Sequence, residues 1–97
     1  MKHLKGTLWR SRPGAPAIWG QITGRPGTAA DVFNNKVPIV GVVRPEDTIL
    51  IISEKQRFTH PELLHMHFEA VQIATPIPGW INATYFMEGS LWMEKVC

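Results

Sequence analysis

The chain has 97 residues, of which 44% are hydrophobic, and its net charge is +2. This length suits one domain with a modest core and leaves little room for two. No run of about 18 apolar residues is present, which excludes a predicted membrane-spanning helix, and the polar start does not fit a secretory signal, so we expect a cytoplasmic protein. The single cysteine, Cys97, excludes an internal disulfide and a paired-cysteine zinc site.

Positive charge is concentrated in the first third of the chain. Five cations precede the first acidic residue, Asp31: Lys2, Lys5, Arg10, Arg12 and Arg25. Trp9 and Trp19 lie among them, and cations interleaved with aromatic side chains are used by proteins that bind single-stranded nucleic acid. A solvated basic surface is the alternative interpretation. Nucleic acid is therefore a secondary partner prediction.

The N-terminal elements are predicted to be a short strand followed by a long loop. Residues 6–12 alternate loosely and contain Thr, Leu and Trp, which favours a first strand. Between residues 11 and 30, prolines and glycines flank a short apolar piece at 18–22, which favours turns and extended chain over helix. We predict a Pro/Gly-rich N-terminal loop over residues 11–30.

The strongest strand signals lie in the middle of the chain. Residues 36–43 and 47–53 are dense in β-branched side chains, and we predict two neighbouring antiparallel strands. Pro38 cannot donate a ladder hydrogen bond, so the first of these strands should begin there, contain a bulge there or lie at an edge. The continuous apolar run of the second strand implies burial on both faces or strong curvature.

The segment from residue 53 to residue 74 allows two structures. Thr59 and Glu62 have capping-box spacing, and Pro61 suits a first helical turn. We predict a short helical turn near residues 60–64, followed by a strand over about 65–74. The alternative is one helix over 60–74, which would make the fold α+β.

The C-terminal part is predicted to hold a turn and two more strands. Residues 75–79 form the turn, Trp80 and Ile81 begin the next strand, and residues 90–96 form an added C-terminal strand. The expected fold is all-β with five or six strands and one short helical turn. These short strands favour a small barrel or sandwich, and the interior of the barrel is expected to be filled by five side chains: Val40, Leu50, Ile52, Val71 and Trp80.

The stretch Gly79-Trp80-Ile81-Asn82-Ala83-Thr84-Tyr85-Phe86 resembles the closing motif of SH3-type barrels. In that family a glycine precedes an aromatic-aliphatic strand, and a 3₁₀ turn and a Tyr-hydrophobic pair follow. Upstream, VPIVGVVRPEDTILIIS looks like two strands joined by a turn in bacterial SH3 domains, and FEAVQIA looks like the strand before the glycine. The resemblance covers residues 37–86. It implies a small SH3-like barrel in which Tyr85 is a groove residue.

Three departures from peptide-binding SH3 domains bear on function. Asn82 occupies the position of a proline in the 3₁₀ turn, and Phe68 stands near an expected tryptophan. The tandem aromatic-acidic motif that opens such domains is missing. Recognition of polyproline is therefore not predicted from the resemblance.

A metal site is the alternative chemical prediction. If residues 65–73 form a strand, then His65, His67 and Glu69 share one face, and two imidazoles with one carboxylate suit a divalent transition metal. His60 would add a fourth ligand. The competing interpretation is that these side chains simply face solvent, and a helical segment would separate His67 from the other two.

The tryptophans and Tyr85 suggest where a partner protein binds. Trp80 is expected in the core, whereas Trp19 and Trp92 are expected to be exposed, and with Tyr85 they are the predicted binding residues. No arrangement of nucleophile and base or of paired carboxylates predicts catalysis. We therefore predict a non-catalytic binding or adaptor module that contacts a protein partner or a second copy, the latter through the last strand or exposed tryptophans, with no membrane partner.

Overall fold

The structure is a computed structural model, and it describes residues 3–14, 20–87 and 89–97. The elements within these residues, in chain order, are β1 (Leu8–Ser11), β2 (Gln21–Thr23), α1 (Ala29–Phe33), β3 (Ile39–Val42), β4 (Thr48–Ile51), β5 (Gln56–Thr59), β6 (His67–Thr75), β7 (Gly79–Asn82), a 3₁₀ turn (Ala83–Tyr85) and β8 (Met93–Lys95). The predicted all-β fold is confirmed. The alternative helix over 60–74 is wrong, because β6 occupies most of that segment.

All the strand pairs among the described residues are antiparallel. The order across the sheet is β3-β2-β7-β6-β4-β1-β8, and β5 pairs with β6 outside this path. The long strand β6 pairs with β5 over its first residues, with β7 over its middle and with β4 at its end. The strand count exceeds the predicted five or six because β2 forms within the loop expected over 11–30 and because β5 was not predicted.

The two strands with the strongest sequence signals, β3 and β4, do not pair with each other. β3 pairs with β2, whereas β4 pairs with β1 and β6, so the predicted pairing is wrong. The turn between β3 and β4 is held by a hydrogen bond of its own, since the Arg44 amide donates to the Asp47 carboxylate at 2.8 Å. The expectation from Pro38 is confirmed, since β3 lies at the edge of the sheet and its register with β2 shifts between Ile22 and Thr23.

The core is mostly aliphatic, includes the buried rings of Trp9 and Phe86, and lies on one face of the sheet. Its largest fully buried side chains are Ile22, Ile49, Ile51, Val71, Ile73 and Met93. Of the predicted interior residues, Val71 is buried but Val40 and Ile52 are exposed. The prediction was wrong along β4 because the inward positions are Ile49 and Ile51, and a period of two sends their neighbours outward.

The opposite face carries the helix α1 and a group of aromatic rings, which we call the aromatic face: Phe58, Phe68 and Trp80. Phe58 stacks on Phe68 with ring centroids 5.6 Å apart and meets Trp80 edge-on at 5.5 Å.

α1 begins with a capping box, in which the Thr28 side chain accepts from the Asp31 amide and the Asp31 carboxylate accepts from the Thr28 amide. This helix was not predicted, although the spacing of Thr28 and Asp31 signals its start.

Candidate functional site

A groove lies between α1 and the β7 to 3₁₀ segment. It consists of two cavities of about 480 Å³ and about 420 Å³, and both are lined by Ala29, Asn82 and Tyr85. The first cavity also has Phe33 and Trp80 in its wall. The second also has Met87, Leu91 and Trp92. We call this pair of cavities the Tyr85 groove. Each cavity is within the range of roughly 300–1,000 Å³ that is typical of ligand-binding pockets.

Trp80 and Tyr85 are positioned by the β7 to 3₁₀ segment. β7 places Trp80 beside Phe58, whose edge-on contact fixes the indole in the groove wall. Asn82 then caps the 3₁₀ turn, because its side-chain oxygen accepts from the Thr84 amide at 2.9 Å. Tyr85 ends that turn and packs against the hydrophobic core. Burial raises the pKa of Tyr85 to about 12, so its phenol stays protonated at neutral pH.

Two exposed apolar side chains stand at the two ends of the groove. Phe33, the last residue of α1, is 72% exposed and lines the first cavity. Leu91 is 75% exposed and lines the second. Large apolar side chains that are exposed around a concave surface are typical of interaction sites. The groove therefore continues into an apolar rim at both ends.

A buried pair of polar side chains holds α1 in place. Asp31, within α1, and His60, in the loop after β5, are both buried, and the Nε2 atom of His60 lies 3.0 Å from Oδ1 of Asp31. Nδ1 of His60 accepts from the amides of Glu62 and Leu63 at 3.1 and 3.2 Å. Because Nδ1 faces two donors, the ring hydrogen must be on Nε2, which donates to Asp31. This bond ties α1 to the loop that leads into β6.

The environment of Asp31 favours its ionised form. Burial alone would raise its pKa, but hydrogen bonds from the Thr28 backbone, from His60 and from the Thr28 side chain outweigh burial and lower the pKa. Both ring nitrogens of His60 are used by contacts within the chain. The pair therefore has a structural role, and His60 is not placed as a general base.

The structure does not assemble the predicted metal triad. His65 lies in the loop before β6, which begins at His67, so the alternation of a strand does not extend to His65. His67 contacts Thr59 at 3.2 Å, and Glu69 stands opposite Arg57 in the ladder. Across residues 3–14, 20–87 and 89–97, no group of three His, Cys, Asp or Glu side chains is arranged to hold a metal ion.

The basic N-terminal third does not present Trp9 as a stacking platform. Trp9 is buried, its Nε1 donates to the Thr7 hydroxyl at 2.8 Å, and it meets Phe86 edge-on. Arg10 and Arg12 both contact the carboxylate of Glu94, which offsets part of their charge. Lys2 lies outside the described residues. The structure thus places Trp9 in the core rather than at a nucleic-acid surface.

Two of the three predicted binding residues meet at the groove. Tyr85 and Trp92 both line the second cavity, whereas Trp19 lies outside the described residues. Sequence reasoning missed Phe33 and placed Trp80 in the core. Trp80 is half-buried in the groove wall. A capping-box search at Thr28 would have found α1, and with it the position of Phe33.

Comparisons with known protein families, with curated proteins and with solved structures found no match to this chain. In the part of the chain that the structure describes, no helix has the length and hydrophobicity that crossing a bilayer requires.

Proposed function

We propose that this protein is a non-catalytic binding module that holds an extended apolar segment of a partner protein in the Tyr85 groove. The observation that carries the proposal is the pair of cavities that share Ala29, Asn82 and Tyr85 in their walls. An extended chain places successive side chains on alternate sides, so two neighbouring cavities suit two anchoring side chains of one segment. A cytoplasmic location remains a prediction.

The composition of the groove supports this proposal. Trp80, Tyr85 and Trp92 supply rigid aromatic surface, and tryptophan and tyrosine are enriched among the residues that contribute most to binding energy. Gln21 stands among the lining residues and offers its side-chain amide to a partner's backbone. An apolar floor with a few polar groups is the arrangement that binds a peptide in a fixed orientation.

The resemblance to SH3-type barrels is part of the proposal, and the order of elements supports it. β6 precedes the Gly79-Trp80 strand, the 3₁₀ turn follows, and Tyr85 ends that turn at the groove. The groove differs from a polyproline site because α1 forms one wall and because Asn82 caps the turn. We therefore expect a partner segment rich in aliphatic and aromatic residues rather than in proline.

The test is a peptide selected against the wild-type protein from a random library, whose affinity is then measured by calorimetry. Phe33→Ser and Leu91→Ser each remove an exposed apolar side chain from one end of the groove, and we expect each to weaken binding about tenfold. Leu64→Ser is the matched control, since Leu64 is 74% exposed and does not line either cavity.

The controls decide between the groove and a general apolar surface. Unchanged affinity in Leu64→Ser together with weaker binding in both groove variants supports the proposal. Peptides that bind both groove variants as tightly as the wild type, or that lose as much affinity with Leu64→Ser, would contradict it.

A further inference from the structure

The edge strand β3 exposes apolar side chains and carries no charge. Ile39, Val40 and Val42 are all exposed, and no charged residue lies between Lys36 and Arg44. Within the described residues, β3 pairs with β2 on one side and ends the sheet on the other. An uncharged edge strand of β-branched residues is a surface on which a further strand can pair.

The opposite edge of the sheet is protected in the usual way. β8 contains Glu94 and Lys95, and Glu94 forms ion pairs with Arg10 and Arg12. Charged side chains on an edge strand discourage pairing with another chain because the incoming strand would desolvate them. The two edges therefore differ, and only β3 lacks this protection among the described strands that end the sheet.

The backbone of β3 has hydrogen-bonding groups directed away from β2. The Val43 amide donates to the Gly20 carbonyl at 2.7 Å, and bonded and non-bonded pairs alternate along an antiparallel ladder. Val42 stands opposite Gln21 at the next position, so its amide and carbonyl face the open edge. The register shift lies toward the Ile39 end, which leaves the Val42 end as the regular part of the strand.

We propose that β3 pairs antiparallel with the β3 strand of a second copy of this chain. The charges at the two ends of the strand favour this occupant. Arg25 and Lys36 lie at its start, and the Arg25 guanidinium donates to the Lys36 carbonyl. Arg44, Glu46 and Asp47 follow its end and together carry a net charge of −1, and Lys36 at the start also forms an ion pair with Glu62. Antiparallel pairing about a two-fold axis sets the basic start of each copy against the acidic residues that follow the strand in the other.

The expected association is weak and depends on concentration. Three partly exposed aliphatic side chains and a few backbone bonds bury less than the roughly 1,000 Å² that a stable interface needs. The monomer and dimer should therefore exchange, with the dimer favoured at high protein concentration. This surface is separate from the Tyr85 groove, and the inference does not depend on what the groove binds.

The test is sedimentation velocity over a range of protein concentrations with two matched variants. Val40→Lys places a charge on the edge strand, which an incoming strand would desolvate, and we expect the dimer dissociation constant to rise about tenfold or more. Val96→Lys is the matched control. Val96 is about as exposed as Val40, at 51% against 48%, but it follows β8 at the opposite edge of the sheet. Val42→Pro is the second variant, since it removes an amide that faces the open edge and costs no bond to β2.

The outcomes separate the alternatives. A wild-type mass that rises with concentration toward twice 10.9 kDa, with dimerisation reduced by Val40→Lys and Val42→Pro but not by Val96→Lys, supports the proposal. A wild-type protein that stays monomeric at every concentration overturns it, as does a dimer weakened only by Val96→Lys. Phe33→Ser should leave the dimer unchanged, so failure of the groove proposal and failure of this one are distinguishable.

Discussion

The two faces of the sheet are built differently. The core face is closed by aliphatic side chains such as Ile49, Ile51 and Ile73, all of which are fully buried. The aromatic face is covered only in part, by α1 and by rings that contact one another edge-on or stacked. The first face is held by non-directional burial, whereas the second depends on the bond between Asp31 and His60.

This difference explains how a small domain keeps a groove open. Aliphatic side chains pack until little space remains, because every contact between them is favourable. A directed hydrogen bond instead fixes α1 at a set position and leaves the space between Phe33 and Tyr85 unfilled. We infer that stability is concentrated on the core face and recognition on the aromatic face.

The largest expected effect is at the core face. Ile51→Ala removes a fully buried side chain and should lower the free energy of unfolding by about 2–5 kcal/mol. Ile52→Ala, one position along, removes an exposed side chain and should cost less than about 1 kcal/mol. Urea denaturation of both variants measures the difference. Equal losses would contradict the register of β4.

The second effect tests the close packing of β7 against β2. A methyl group added at Gly79 would overlap Ile22 and lie 2.8 Å from the Thr23 carbonyl oxygen, which is backbone and cannot move independently. Gly79→Ala should therefore lower the free energy of unfolding by about 1–3 kcal/mol, measured by thermal or urea denaturation. Gly24→Ala is the control, since the nearest atom there belongs to the Pro38 ring at 3.3 Å. A variant at Gly79 as stable as the control would show that β7 and β2 are not in close contact.

The sequence carried enough information for the fold class and for several elements. The density of β-branched residues identified β3 and β4, and an edge position for β3 was one of the three outcomes predicted from Pro38. What failed was the pairing between strands. A strand signal is local, whereas the partner of a strand depends on connections elsewhere in the chain, and here β1 and β6 compete successfully for β4.

The groove was predictable only in part, for a related reason. Tyr85 was identified from a short local motif and Trp92 from its place on the last strand, and both line the second cavity. Phe33 and Trp80 were missed because the helix that forms the other wall has only five residues and no hydrophobic period to detect. The Asp31 and His60 pair joins residues 29 positions apart, and no sequence pattern specifies such a contact.

The third effect concerns the bond that holds α1. Asp31→Asn keeps the shape of the side chain but removes its charge, and we expect it to lower the free energy of unfolding by about 1–2 kcal/mol at pH 7. The pKa of Asp31 is lower in the folded protein than in the unfolded chain, where it is about 4. The ionised carboxylate therefore stabilises the folded state fully above about pH 4, and this contribution is lost as the pH falls through the folded pKa. The difference between wild type and variant should shrink between pH 4 and more acidic values. Urea denaturation at several pH values measures this, and a difference that grows with acid would contradict the assigned role.

The smallest expected effect on stability is at the groove rim. This prediction tests whether the rim residues serve binding rather than folding. Phe33→Ser and Leu91→Ser remove side chains that are mostly exposed, so the free energy of unfolding should change by less than about 0.5 kcal/mol. Measured beside the peptide affinities, this result separates binding from folding, because the same substitutions are expected to weaken binding about tenfold. A loss above about 1 kcal/mol would instead show that Phe33 and Leu91 contribute to the fold, and their apolar character would then need no partner to explain it.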